Sequence, residues 1–278
     1  MFIIIKRFPK GKCKAVTLSY DDGRAEDKRL IDIMDKYGIK GTFNISAGLF
    51  SEKDITDGKG RVSKKQALEM YKNSGHEVAV HGYIHSHLED LPSDLITDEV
   101  MSDRRELERM FDTDVRGMAY PFGTYNDTVL ECLKACKIAY SRTVKSTEGF
   151  GLPSNWLELH PTCHHNHPRL FELAEQFVEH DYKTRYNDTV NMFYLWGHSY
   201  EFDNDNNWDR IEKFCKYIGG RDDIWYATNI EIYDYMQAVN QLRFNVARTT
   251  AYNPTCTEVW FSVLGKIYKV PAGETIKL

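Results

Sequence analysis

Two adjacent carboxylates and a pair of spaced imidazoles are the residues of this sequence best suited to chemistry. Asp21 and Asp22 end an apolar run, and Gly23 lets the chain turn away behind them. Neighbouring side chains of an extended strand point to opposite faces, so the two carboxylates are expected to differ in role. One can bind a cation while the other faces a reacting water. Asp-Gly after a strand is also an ordinary turn, and alone the pair carries no more than that. His81 and His85 lie four residues apart. On a helical turn they would share one face and grip a metal together. With Asp22 they would form a two-histidine, one-carboxylate site with positions open for water, the pattern of a catalytic metal. The alternative is a wet, histidine-rich loop, since His87 follows.

The elements that must position these residues alternate in type. Apolar runs at 15–18, 39–45, 77–80, 115–120, 138–141, 156–160, 191–196 and 224–227 read as strands. Between them, residues 24–36, 63–71, 95–111, 128–136, 169–180, 208–218 and 230–244 have helical patterns. This alternation predicts a parallel sheet, open or closed into a barrel, with its chemistry at the C-terminal strand ends. The unusual polar residues fall there: Asp21 and Asp22, the histidines from His81, Pro121 to Gly123, the cluster from His160, and His198. Beyond residue 258, two strands at 259–263 and 266–270 flank Leu264-Gly265 and predict a β-hairpin appendage. The expected organisation is a catalytic domain over 1–250 and a hairpin extension over 251–278.

The 278 residues are 42% hydrophobic and 28% charged, as expected of a soluble globular α/β chain. A net charge of −5 without a dense Lys/Arg run argues against nucleic acid as a partner. No apolar run approaches the ~20 residues that span a bilayer. The apolar start, Met1 to Lys6, lacks the basic region and cleavage site of an export signal and reads as a first strand. A cytoplasmic location is therefore expected, where reduced thiols are the default, and no two of the six cysteines have the C-x-x-C spacing of a zinc knuckle or redox motif. The oligomeric state is left open, although the hairpin tail could pair with a neighbour.

Taken in order, Leu18-Ser-Tyr-Asp-Asp-Gly23, then Gly75-His-Glu-Val78 before His81-x-x-x-His85, then Tyr120-Pro-Phe-Gly123, then an apolar strand ending at His198, resemble the NodB-homology polysaccharide deacetylases, carbohydrate esterase family 4. The resemblance runs from about Cys13 to Tyr235 and implies a distorted (β/α) barrel. It implies Asp21 as general base and His198 as general acid. It implies Asp22, His81 and His85 as ligands of one divalent metal, zinc first, with cobalt, nickel or iron also suited to the donors. At Phe122 it implies a main-chain N–H that stabilises an oxyanion.

The chain departs from the family in two places. Ala119 stands where the third motif usually carries an arginine that steadies the base, and Arg142, ending the next strand, is the candidate to replace it. The fourth motif is absent, and His164 and His165 lie about where it should be, suited to orienting His198 or touching substrate. Tyr120 joins these as a substrate-side or supporting residue. The expected function is removal of acetyl groups from N-acetylated sugars. Rival readings are a cyclic-amide hydrolase of the same fold, as allantoinase-like relatives are, and a carbohydrate-binding pseudoenzyme.

Overall fold

A computed structural model of the chain describes residues 4–180 and 189–278. The first three residues of the predicted opening strand lie outside the described residues. β1 (Ile4–Arg7) stands apart from the main sheet. Eight parallel strands follow: β2 (Lys14–Asp21), β3 (Gly41–Ile45), β4 (Glu77–Val80), β5 (Gly117–Ala119), β6 (Tyr140–Arg142), β7 (Cys163–His164), β8 (Asn191–Gly197) and β9 (Ile224–Tyr226). They are ordered β6-β5-β4-β3-β2-β8-β7, and β9 pairs the first residues of β2. β2 is buried along its whole length, as a strand covered on both faces must be, and its run of Ala15, Val16 and Leu18 supplies that burial.

The helices α1 (Asp27–Lys36), α2 (Lys64–Tyr71), α3 (Ser93–Phe111), α4 (Asp127–Ala135), α5 (Leu170–Glu179), α6 (Tyr200–Asn204), α7 (Trp208–Ile218) and α8 (Asn229–Asn240) lie between and after the strands. α1 buries Leu30, Ile31, Ile33 and Met34 as one stripe. α2 and α8 begin in capping boxes, Ser63 with Gln66 and Thr228 with Glu231, which fixes where each can start. The result is a curled, open sheet wrapped by helices, a distorted (β/α) barrel. None of the described helices is long and apolar enough to cross a membrane.

Two predicted elements differ. Residues 156–160 are not a strand. The Asn155 side chain accepts the Leu157 amide and closes a 3-10 turn over Trp156–Glu158. Only Leu159 then pairs with the edge strand β6, through the Leu159 amide to Ser141 O at 3.0 Å and the Thr143 amide to Leu159 O at 3.1 Å. A few residues later the Thr162 amide reaches Tyr194 O on β8 at 2.8 Å, so this segment spans the gap between the two edges of the sheet. The last helix does not run to residue 244 but ends at Asn240. Gln241 and Leu242 turn back onto Ala238 and Val239, and β10 (Arg243–Phe244) pairs with β11 (Thr250–Tyr252), which pairs in turn with β14 (Thr275–Lys277).

The predicted hairpin is present as β12 (Val259–Val263) and β13 (Lys266–Val270), and β1 joins it as a third antiparallel strand. Phe261 and Val259 share one buried cluster with Tyr235 and Met236 of α8 and with Ala15 and Tyr194 of the barrel. α8 thus seats the appendage against the barrel.

Glu77, at the start of β4, is a buried carboxylate that accepts from the Ile230 amide at 2.9 Å, Tyr140 at 2.7 Å and Thr42 at 2.8 Å. Burial pushes it up to about 7 against the pull of those donors. The folded state then holds this proton more tightly than the unfolded chain. Its stability contribution is complete below the ordinary glutamate range and is lost as pH rises towards 7. The melting temperature should therefore fall between about pH 5 and pH 8, and Glu77→Gln, which mimics the protonated acid, should flatten that fall. Thermal melts across this range check it, and an identical slope in both proteins would assign the pH dependence elsewhere.

Candidate active site

Because all eight strands are parallel, their C-terminal ends meet on one rim. β2 delivers Asp21 and Asp22, β4 His81, β5 Tyr120 and Phe122, β6 Arg142, and β8 His198. Asp21, Asp22, His81, His85, Tyr120, Phe122, Gly123, Val144, Trp196, His198 and Tyr200 enclose a cavity of about 250 Å3. A larger one, about 430 Å3, opens at the opposite end of β2 beside Lys14 and Asp223 and contains none of these residues.

The carboxylates reach this cavity in a way the strand pattern does not predict. Asp22 is not extended: its φ is +85°, and this left-handed step brings its carboxylate to the same cavity as that of Asp21. The His81–His85 segment is not helical either. Gly82 has φ +74° and His85 +58°, and the loop amides are held by α3, Tyr83 by Glu99 O at 3.2 Å and Ile84 by the Glu99 carboxylate at 3.1 Å. The rings nevertheless meet edge to face, with centroids 4.7 Å apart. Phe122, at φ +58°, is a third non-glycine residue in left-handed backbone around the cavity. Such strain persists only where the surroundings impose it, and it gathers at functional sites.

Asp22, His81 and His85 each offer a ligand atom within 4.8 Å of the others. His81 Nδ1 lies 2.9 Å from Ala119 O; a carbonyl only accepts, so Nδ1 carries the proton and Nε2 keeps its lone pair for a cation. Asp103, fully buried on α3, accepts the Ala47 amide at 2.6 Å and the His81 amide at 2.8 Å and so anchors this loop. Burial lowers His81 despite Asp21 and Asp22, and brings His85 down to about 4 with the help of His81 beside it. Neutral imidazoles and a carboxylate are the donor set of a divalent cation, and these residues fit one. Arg61 donates to Asp22 Oδ1 at 3.1 Å and orients this carboxylate.

Asp21 is buried, and its surroundings hold it as an anion. Burial would raise its carboxyl, but the Arg142 guanidinium, then His81 and His198, and the Asn44 amide at 2.8 Å outweigh this and hold it below the ordinary aspartate value. Arg142 is wholly buried, pairs directly with Asp21 Oδ2 and lies 4.4 Å over the Trp196 ring. His198 Nε2 faces the same Asp21 oxygen at 3.9 Å, and its Nδ1 meets Glu201 Oε1 at 3.1 Å. Burial lowers His198, but Glu201 and the charge of Asp21 more than offset it and raise its affinity for a proton.

Of the sequence-derived residues, Asp21, Asp22, His81, His85, Tyr120, Phe122 and His198 line the cavity, and Arg142 lies beneath Asp21. The Tyr120 hydroxyl donates to Leu157 O at 2.8 Å, while the ring stacks on Tyr125. Half-exposed Phe122 stacks on His87 with centroids 3.7 Å apart. His164 and His165 do not reach the cavity; they lie against Glu201 behind His198. Sequence reasoning missed Asn44, Arg61, Asp103, Trp196 and Glu201. Asn44 lies next to the end of β3 in register with Asp21, and Glu201 follows His198 by one helical turn, so both carried a usable positional signal.

Residues 9–141 match the family model described as polysaccharide deacetylase. No curated protein matches the chain. Among solved structures, a candidate polysaccharide deacetylase from Mycobacterium smegmatis is 15% identical over 85% of this chain and 94% of its own, with a TM-score of 0.58. A mutant of the Bacillus anthracis family 4 pseudoenzyme BA3943 with restored enzymatic activity is 17% identical over 83% of this chain and 70% of its own, with a TM-score of 0.50. The deacetylase PplD of Streptococcus pyogenes, solved with acetate, is 26% identical over 51% of this chain, which spans 61% of its length, with a TM-score of 0.46. At these identities the first two likenesses concern the fold alone.

Proposed function

We propose, from the premise that the chain belongs through residues 9–141 to the polysaccharide deacetylase family, that it is a metal-dependent amide hydrolase removing acetyl groups from N-acetylated sugars. The observation that carries this reading is the meeting in one cavity of a cation-competent triad, a buried aspartate held as an anion, and a histidine with raised proton affinity. Asp22, His81 and His85 would hold a divalent cation, for which zinc, cobalt, nickel and iron all suit the donors, and it would supply Lewis acidity to the carbonyl and acidify water.

The chain's own residues do the rest. Asp21 accepts a proton from the attacking water. The hydroxide oxygen adds to the amide carbon, and the Phe122 main-chain N–H stabilises the developing oxyanion. His198 gives a proton to the nitrogen as the C–N bond breaks, leaving acetate and a free amine. Arg142 holds Asp21 as the anion until it takes that proton. The cavity of about 250 Å3 suits an acyl group and part of one ring, with the remainder of a glycan outside.

The reading is tested by metal content and acetate release on a panel of N-acetylated mono- and oligosaccharides, with wild type and Asp22→Ala side by side. About one cation per chain and acetate release are expected from wild type. Asp22→Ala should lose metal affinity by about a hundredfold or more, since even supporting residues of such sites are worth ten- to a hundredfold. Full metal content in Asp22→Ala would remove it from the ligand set. Metal without acetate release would favour the cyclic-amide reading, which the alanine at position 119 leaves open. A chain that binds sugar but takes up no metal would be a binding module.

A further inference from the structure

We infer that Glu201 is the positioning residue for His198, and that His164 and His165 form a clamp that holds Glu201 rather than a surface for substrate. The inference rests on His198 as proton donor. Glu201 lies on α6, one turn past His198, and its Oε1 meets His198 Nδ1 at 3.1 Å. A carboxylate beside Nδ1 fixes the proton there and leaves Nε2, the atom facing Asp21, as the one that exchanges protons with substrate.

The other carboxylate oxygen is held from behind. Glu201 Oε2 lies 3.0 Å from His164 Nε2 and 2.9 Å from His165 Nε2. β7 runs parallel to β8 with His164 opposite Trp196, so the sheet itself delivers both rings to this position. His165 is buried, and its ring stacks between Phe202 at 4.2 Å and Tyr20 at 5.8 Å. Position 197 must be glycine to make room, because a Cβ there would come within 2.0 Å of His165 Nδ1. Burial would raise the Glu201 carboxyl, but the three imidazoles outweigh it and hold it far below the ordinary glutamate value.

The same atoms of His164, His165 and Glu201 lie within 4.8 Å of one another and could be taken for a second cation site. The Asn166 amide argues otherwise. It donates to His164 Nδ1 at 3.2 Å, so the His164 proton sits on Nε2, the atom a cation would need. His164 therefore turns an N–H towards the carboxylate, and His165 Nε2 packs against the same oxygen at 2.9 Å without hydrogen-bond geometry. The charged groups facing His198 are Asp21 and Asp22 from the β2 end, Glu201 from α6 and His165 from β7. Of these, Glu201 alone is hydrogen-bonded to its ring.

The test compares wild type, Glu201→Gln and Glu201→Asp as folded, zinc-loaded protein with 15N-labelled histidine. In wild type the His198 nitrogen shifts should report a proton on Nδ1, and in Glu201→Gln they should report a mixed or reversed tautomer. Turnover of an N-acetyl sugar should fall about ten- to a hundredfold in Glu201→Gln with KM little changed, and Glu201→Asp should recover part of it. Hydrolysis of 4-nitrophenyl acetate, whose leaving group needs no proton, should stay near wild type. An unchanged His198 tautomer in Glu201→Gln would overturn the inference, as would equal losses on both substrates. So would two zinc ions per wild-type chain falling to one in Glu201→Gln, which would make the cluster a metal site. If wild type hydrolyses neither substrate, the proposed function fails, and the tautomer alone then decides the role of Glu201.

Discussion

Asp21→Asn should lower acetate release by about a hundred- to ten-thousandfold while leaving the metal in place, the range expected when a positioned base is lost. The two carboxylates are adjacent in sequence but separate in surroundings. Asp22 sits within reach of His85 and Arg61, whereas Asp21 is enclosed by Arg142, Asn44 and the Nε2 atoms of His81 and His198. An asparagine at 21 still accepts the Asn44 amide through its own carbonyl, but it leaves the Arg142 guanidinium facing an NH2 group and cannot take a proton from water. Metal content by elemental analysis and steady-state turnover, measured on folded protein, separate the two roles. Near-normal turnover with bound metal would take the base away from Asp21. Loss of metal together with turnover would instead make it a ligand.

Arg142→Met should be among the most destabilising single changes in the chain, at about 3–5 kcal/mol, because it leaves Asp21 as a buried charge without its partner. Neither side chain of the pair has more than a trace of solvent contact. The double variant Asp21→Asn with Arg142→Met removes both charges and should regain most of that loss, while acetate release stays abolished. Urea unfolding of the two single variants and the double gives the coupling directly. Additive losses would mean that the pair is not coupled and that Arg142 acts mainly through its packing on Trp196.

The fold was legible because its strongest signals are periodic. The residues of β2, β8 and α7 each carry an uninterrupted pattern, and α7 spans 208–218 as its apolar stripe predicts. The rule that parallel strands place chemistry at their C-terminal ends then located most of the cavity. Failures came where a side chain, not periodicity, decides the backbone. Asn155 caps a 3-10 turn in a stretch apolar enough to pass for a strand, and the pairing of Phe244 with Ala251 ends a helix whose pattern continues. The left-handed conformations of Asp22 and His85 escaped for the same reason, since only tertiary contacts can impose them on residues other than glycine. The supporting side chains were harder still. Asp103 lies mid-helix amid other charges, and nothing in its neighbourhood separates it from the solvated acids of α3.

The enclosure of Asp21 with Arg142 also bears on the medium in which the protein can work. Mobile ions weaken surface pairs such as Lys28 with Asp32 over a screening distance of about 8 Å at physiological ionic strength. They screen far less a pair that lies at the floor of the cavity with almost no solvent contact. Brine and dilute buffer should therefore find the same ionised acceptor beneath the substrate, and any sensitivity to salt should arise at the rim, where substrate arrives.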